Sequence, residues 1–290
     1  MASSLFADLS SALAESVAVT VPYIVEVQSH HSLASGFFWR DSLIVTPEET
    51  LAEDGDVEIE LADGTVLAAT RAGRDPATDI ALLRVEGAPT RPVTFSFDPV
   101  RVGSLALIVA AAESAPLAAF DVVSAVGPAW HSMRNGTIDS RIEMDLRLRA
   151  RAEGGLALDG QGRAFGMAVR GPRGRTIVIP AATIDRVADQ LAAHGRVAIA
   201  YLGAGLRDVP VDNEGSGTMV MTVDPGGPAA AAGIKQGDII LSWDGESMPH
   251  VGTLLRRLRA TTAGAQVTLS LRRGGSPKEV RVTIGNRPAR

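Results

Sequence analysis

The sequence contains no cysteine. Disulfides, thiolate catalysis and cysteine-based zinc sites are therefore excluded. Positive charge is also scarce at the start: no lysine or arginine precedes Arg40. Without a basic segment ahead of an apolar one, the N-terminus does not read as a secretory signal or a transit peptide. The expectation is a cytoplasmic protein if Met1 is the native start. It is a periplasmic or other extracytoplasmic one if a leader has been removed. The longest uninterrupted apolar run, Leu105 to Ala112, is too short to cross a bilayer, so no membrane span is expected. A net charge of −5 gives no reason to expect nucleic acid as a partner. What remains is a globular balance of 46% hydrophobic and 21% charged residues over 290 positions, enough for two domains with their own cores.

The first segment carries Leu5, Leu9, Leu13 and Val17, a spacing of four that predicts one amphipathic helix. From Val19 to about residue 180 the pattern is strand after strand. Asp41-Ser42, Asp54-Gly55, Asp63-Gly64, Asn135-Gly136, Asp159-Gly160 and Arg173-Gly174 mark the turns. Val57 to Leu61 alternates apolar and acidic residues, as a half-buried strand does. Ala181 to His194 predicts a helix with Ile184, Val187, Ala188 and Leu191 on one face, stopped by Gly195. A second domain begins near Tyr201.

In that second domain, Asp224-Pro225-Gly226-Gly227-Pro228-Ala229, Ala232-Gly233-Ile234, Gly237-Asp238-Ile239-Ile240 and Asp244-Gly245 stand in order. This run resembles a PDZ domain. The resemblance implies β-augmentation, in which an extended peptide adds to one strand beside a helix. It implies that Tyr201-Leu202-Gly203-Ala204 holds the peptide carboxylate through backbone N–H groups. It also implies that Leu206, Leu254 and Leu258 line the pocket for the terminal side chain, unless those leucines are core.

The first domain carries a second resemblance. Ser35-Gly36-Phe37, Leu43-Ile44-Val45-Thr46, Gly73 to Leu83 with Thr78-Asp79 at its centre, Gly136-Thr137-Ile138-Asp139 and Glu153-Gly154-Gly155 follow the frame of trypsin-like serine proteases of the HtrA/Deg family. The implied architecture is mostly β: a trypsin-like double six-stranded β-barrel followed by an α+β PDZ domain. Residues 1–20 would form an N-terminal helical oligomerisation segment and 21–195 the trypsin-like domain. Residues 196–200 would be a linker and 201–290 the PDZ domain.

A serine protease needs a nucleophile, a base, an acid that orients the base, and an oxyanion hole. The resemblance places Asp79 at the triad aspartate, Glu49 at the histidine and Glu153 at the serine. Arg151 stands where the oxyanion loop has a glycine, and a side chain there resists the required backbone geometry. None of His30, His31, His131, His194 and His250 falls on the base position. Arg147, Arg149 and Arg151 alternate nearby and suggest a salt-bridge network around the acids. Those arginines also oppose a hard cation, so neither metal nor cofactor is expected.

The reading drawn from these substitutions is a catalytically inactive homologue, a pseudoprotease that binds polypeptide as a scaffold or chaperone-like protein through its PDZ domain. Its partners would be polypeptide C-termini or extended peptides, further copies of itself in a trimer contacted through Leu5, Phe6 and Leu9, and an active protease paralogue. The alternative is an active serine endopeptidase. A third reading makes Glu49 and Glu153 an acid–base pair. An open cleft with a perturbed carboxyl would favour it, and closed, salt-bridged carboxylates would oppose it.

Overall fold

The computed structural model describes the chain except residues 1, 31, 89–90, 113–114, 135, 212–214, 262 and 288–290, and the side chains of residues 2 and 3. Of the sequence landmarks, His31 and Asn135 thus lie outside the described residues. The chain divides into two compact units, Met1–Val197 and Ala198–Arg290.

The first unit opens with helix α1 (Ala2–Thr20). Leu13 and Val17 pack on the core, whereas Leu5, Phe6 and Leu9 are 72%, 78% and 37% exposed. By length and composition, Ser4–Tyr23 is apolar enough to cross a membrane, with a mean hydropathy of 1.3. The length and the average composition reach that mark, although no uninterrupted apolar run in the sequence does. Asp8 and Glu15 break the run without removing the average. Signal sequences and helices of soluble proteins meet the same criterion.

Strands β1 (Ile24–Ser29), β2 (Ser32–Arg40), β3 (Leu43–Thr46), β4 (Val57–Glu60), β5 (Val66–Asp75) and β6 (Ile80–Val85) close the first barrel in the order β1-β2-β3-β6-β5-β4. Next come β7 (Leu105–Ala112), β8 (Ala115–Gly127) and a small hairpin of β9 (Trp130–His131) and β10 (Thr137–Ile138). With β11 (Arg141–Met144), β12 (Leu156–Asp159), β13 (Ala164–Arg170) and β14 (Thr176–Pro180), the second barrel closes as β11-β14-β13-β12-β7-β8. Closure removes the sheet edges that alternating sequences otherwise expose. Helix α2 (Ala181–His194) buries Ile184, Val187, Ala188 and Leu191 and ends on Gly195 at φ 69°, the left-handed stop that glycine takes readily.

The second unit begins with β15 (Ala200–Tyr201). Its main sheet contains β16 (Ala204–Val211), β17 (Gly215–Val223) and, after the short helix α3 (Pro228–Ala231), β18 (Ile239–Trp243) with β19 (Glu246–Ser247). Helix α4 (Val251–Arg259), β20 (Gln266–Arg273), β21 (Ser276–Thr283) and β22 (Gly285–Asn286) complete it. The sheet order is β16-β17-β18-β20-β21, so β16 is an edge strand. Asp238, 1% exposed, ties the sheet together: Arg273 donates to it through Nε and Nη2, each at 2.7 Å, and Lys235 N–H at 2.8 Å. The architecture is mostly β, with the two six-stranded barrels and the PDZ arrangement expected from the sequence.

Candidate active site

Three segments that are remote in sequence come together around Asp79. The first leaves β3, whose last residue is anchored by Thr46 Oγ1 donating to Ser35 O at 2.9 Å. Pro47 is extended, and Glu48–Thr50 then make one 3-10 turn closed by Leu51 N–H donating to Glu48 O. The second is the turn between β5 and β6. Its Asp75 caps Thr78 and Ala77, leaving Asp79 in the left-handed region at φ 57°. An aspartate is among the few non-glycine residues that tolerate that region. The third is the 3-10 turn Ala150–Ala152 that delivers Glu153.

The structure brings Glu49 and Asp79 together: the Glu49 N–H donates to Asp79 Oδ1 at 2.8 Å. Asp79 is raised from 3.8 to about 7. Burial is the main cause, and the like charges of Glu49, Glu153 and Glu48 add to it, while the Glu49 N–H works the other way. The Glu49 side chain is 59% exposed and faces Arg134 at 3.5 Å.

Glu48, next to it, was not singled out by the sequence, yet it is the buried one. Its carboxylate is 3% exposed and takes Arg74 Nε at 2.7 Å and Arg134 Nη1 at 3.5 Å. A 3-10 turn points successive residues about 120° apart, so one of the two glutamates turns inward and the other outward. Arg134 comes from the β9–β10 hairpin, which is docked by Ser132 Oγ donating to Ala77 O.

Glu153 is 3% exposed. Arg170 of β13 holds it, with Nε at 2.5 Å from Oε2 and the backbone N–H at 3.2 Å from Oε1. The expected network is corrected at Glu153, whose ion-pair partner is Arg170 of β13 rather than Arg147 or Arg149. The physical reason is the turn. Residues 146–149 form no strand, Arg149 is extended, and the chain then coils at Ala150–Ala152, so the run does not keep one strand-like face. The Arg151 carbonyl accepts Ser35 Oγ at 2.9 Å. The Glu153 N–H donates to Ala150 O at 3.2 Å and the Gly154 N–H to Ala168 O at 2.8 Å. A donor so engaged does not point into a cleft as an oxyanion hole requires. Gly154 has φ 90°, and a Cβ there would meet Ser35 O at 2.0 Å, so glycine is obligatory. Among the described residues, no group of acids and histidines has the geometry to hold a metal ion.

In the second unit, Tyr201 Oη donates to Asp224, Gly203 has φ 74°, and the Asp224 N–H donates to Gly203 O at 2.9 Å. The Leu202 carbonyl accepts Ala229 N–H at 2.8 Å. Leu202, Leu254 and Leu258 are buried in the core, with 3%, 0% and 7% exposure. Leu206 and Ala204 are partly buried against that core and sit on the edge strand β16, beside α4.

Comparison with known proteins follows this division. Residues 34–167 match the trypsin-like peptidase domain family and residues 200–284 the PDZ domain family. A probable periplasmic serine endoprotease DegP-like from Bartonella henselae is 31% identical over 274 residues, covering 89% of this chain and 54% of the relative. One of the same description from Pseudomonas fulva is 30% identical over 279 residues, covering 89% of this chain and 57% of that protein. The chain therefore spans about half the length of these curated relatives. The crystal structure of the serine endoprotease from Yersinia pestis superposes with a TM-score of 0.73 at 23% identity, covering 95% of this chain and 98% of that one. The HtrA-type protease AlgW with a decapeptide gives 0.74 at 20% identity, over 96% and 99%. At these identities the two structures establish the fold.

The relatives' names overturn the expectation of a catalytically inactive scaffold. They are serine endoproteases, and they favour the endopeptidase alternative. The chain is a trypsin-like peptidase domain followed by one PDZ domain, homologous to DegP-like serine endoproteases.

Proposed function

We propose that this chain is an endopeptidase that acts on polypeptides captured through its PDZ domain, in the periplasm or another extracytoplasmic compartment. The observation that carries this reading is the match along 89% of the chain to relatives named periplasmic serine endoproteases. The PDZ half supplies capture. A peptide adds to the free edge of β16, with its carboxylate at the Tyr201–Ala204 turn and its last side chain against Leu206. Leu254 and Leu258 support that surface from within the core. The exposed Leu5, Phe6 and Leu9 of α1 are the surface through which copies would assemble into a trimer, which would present three PDZ domains and add avidity.

The residues at the triad positions constrain how cleavage would run. No serine stands at position 153, so no acyl-enzyme forms there. Asp79 sits beside Glu49 with a carboxyl that titrates near neutrality, so it can give and take a proton. The route these side chains allow is attack by water: Asp79 would take a proton from the water as its oxygen bonds to the scissile carbonyl carbon, and give that proton to the departing amine as the C–N bond breaks. It requires the Ala150–Ala152 turn to open and free the Glu153 N–H. Incubating the full chain with casein tests the reading. The expected result is internal cleavage that persists with a serine-directed reagent and falls in Asp79→Asn. No cleavage at all, with peptide binding by the PDZ domain intact, would sink it.

A further inference from the structure

The segment before the Ala150–Ala152 turn alternates in character. Leu146 and Leu148 pack into the second barrel, while Arg147 and Arg149 are exposed. Both arginines line a cavity of about 310 Å³ that runs up to Ala152, the residue before Glu153. The other walls are apolar, including Ile108 of β7, Leu117 of β8 and Leu148. No acid lines it, and among the described residues neither guanidinium has an ionic partner. The other arginines of this region are engaged, Arg170 by Glu153, Arg134 by Glu48 and Glu49, and Arg175 by Glu143 and Asp145.

We infer that this cavity binds the acidic side chain of an extended polypeptide lying across the first unit. The inference rests on the reading that this unit handles polypeptide, but not on the polypeptide being cleaved. Two unpaired guanidiniums at the rim of an apolar cavity match a carboxylate on a short hydrocarbon stem. The fork takes the carboxylate by charge-assisted hydrogen bonds, and the walls cover the methylenes. A free dicarboxylate offers the same charge without the backbone, which distinguishes the two sources. The ligand class is thus a glutamate- or aspartate-containing segment.

The test measures binding of two hexapeptides to the full chain by fluorescence anisotropy. Both are acetylated and amidated, so neither offers a free carboxylate to the PDZ domain, and they differ only in a central glutamate or glutamine. The glutamate peptide is expected to bind about tenfold tighter at roughly 0.05 M salt, with the advantage fading at roughly 0.5 M. Arg147→Gln/Arg149→Gln should abolish the difference while keeping the melting temperature and the binding of a free C-terminal peptide, since both side chains are exposed and unpaired. Equal binding of the two peptides would overturn the inference. So would a glutamate preference that survives the double variant, or competition by free glutarate as strong as by the peptide. A chain that leaves casein uncleaved yet discriminates the two peptides would count against the endopeptidase reading alone.

Discussion

Replacing Asp79 by asparagine should make the first unit more stable, and increasingly so as pH rises. The side chain has an ordinary pKa of 3.8 and is held at about 7 in the folded protein, chiefly by burial. Between those values the folded state keeps a proton that the unfolded chain has released, so stability falls with rising pH and levels off above about 7. At about 1.4 kcal/mol per pKa unit, the full cost approaches about 4 kcal/mol above neutrality and is less than half of that near pH 5. Asparagine escapes this cost. It still offers Oδ1 to the Glu49 N–H and tolerates the left-handed φ of 57°. Urea denaturation of both proteins should therefore show Asp79→Asn gaining about 2 to 3 kcal/mol on the natural chain between about pH 5 and about pH 8.5. Trp39 and Trp130 report from this unit. A difference between the two proteins that stays constant across that range would refute the reasoning, because it would mean that the Asp79 carboxyl is not desolvated.

Other outcomes follow from the same contacts. Arg170→Ala, which leaves the buried Glu153 without its ion-pair partner, should cost about 3 kcal/mol, whereas Glu153→Gln should cost about 1, because the half-exposed Arg170 is rehydrated. The reverse order in chemical denaturation would contradict the assigned burial. Gly154→Ala should lose at least about 3 kcal/mol or fail to fold, judged by circular dichroism, since its Cβ would collide with the Ser35 carbonyl. In the second unit, Leu254→Ala should lower the melting transition by about 2 to 5 kcal/mol of stability, because this side chain is core; an unchanged melt with weakened peptide binding would instead make it a pocket residue.

The two barrels were legible because strand alternation and paired turn residues such as Asp63-Gly64 recur at short spacing. The PDZ half was legible because its glycines mark turns, as Gly233, Gly237 and Gly245 do with φ between 74° and 88°. The positions of Glu49, Asp79 and Glu153 were legible from the family frame, and the structure does join Glu49 to Asp79. The partners were not. Arg170 reaches Glu153 only because β13 runs beside the Gly154-Gly155 segment, where Ala168 exchanges backbone hydrogen bonds with both glycines. That pairing lies in the barrel register, not in any local pattern. Glu48 rather than Glu49 is buried because a 3-10 turn decides which of two adjacent glutamates faces inward. The apolar average of Ser4–Tyr23 was not legible as a run because Asp8 and Glu15 interrupt it.

Cleavage of captured polypeptides is the proposed activity of this chain. Mass spectrometry of casein incubated with the purified full chain, beside Asp79→Asn, tests this most directly. Internal cleavage products are expected to accumulate with the natural chain and diminish with the variant. Casein left intact by both, while a free C-terminal peptide still binds the PDZ domain, would contradict it.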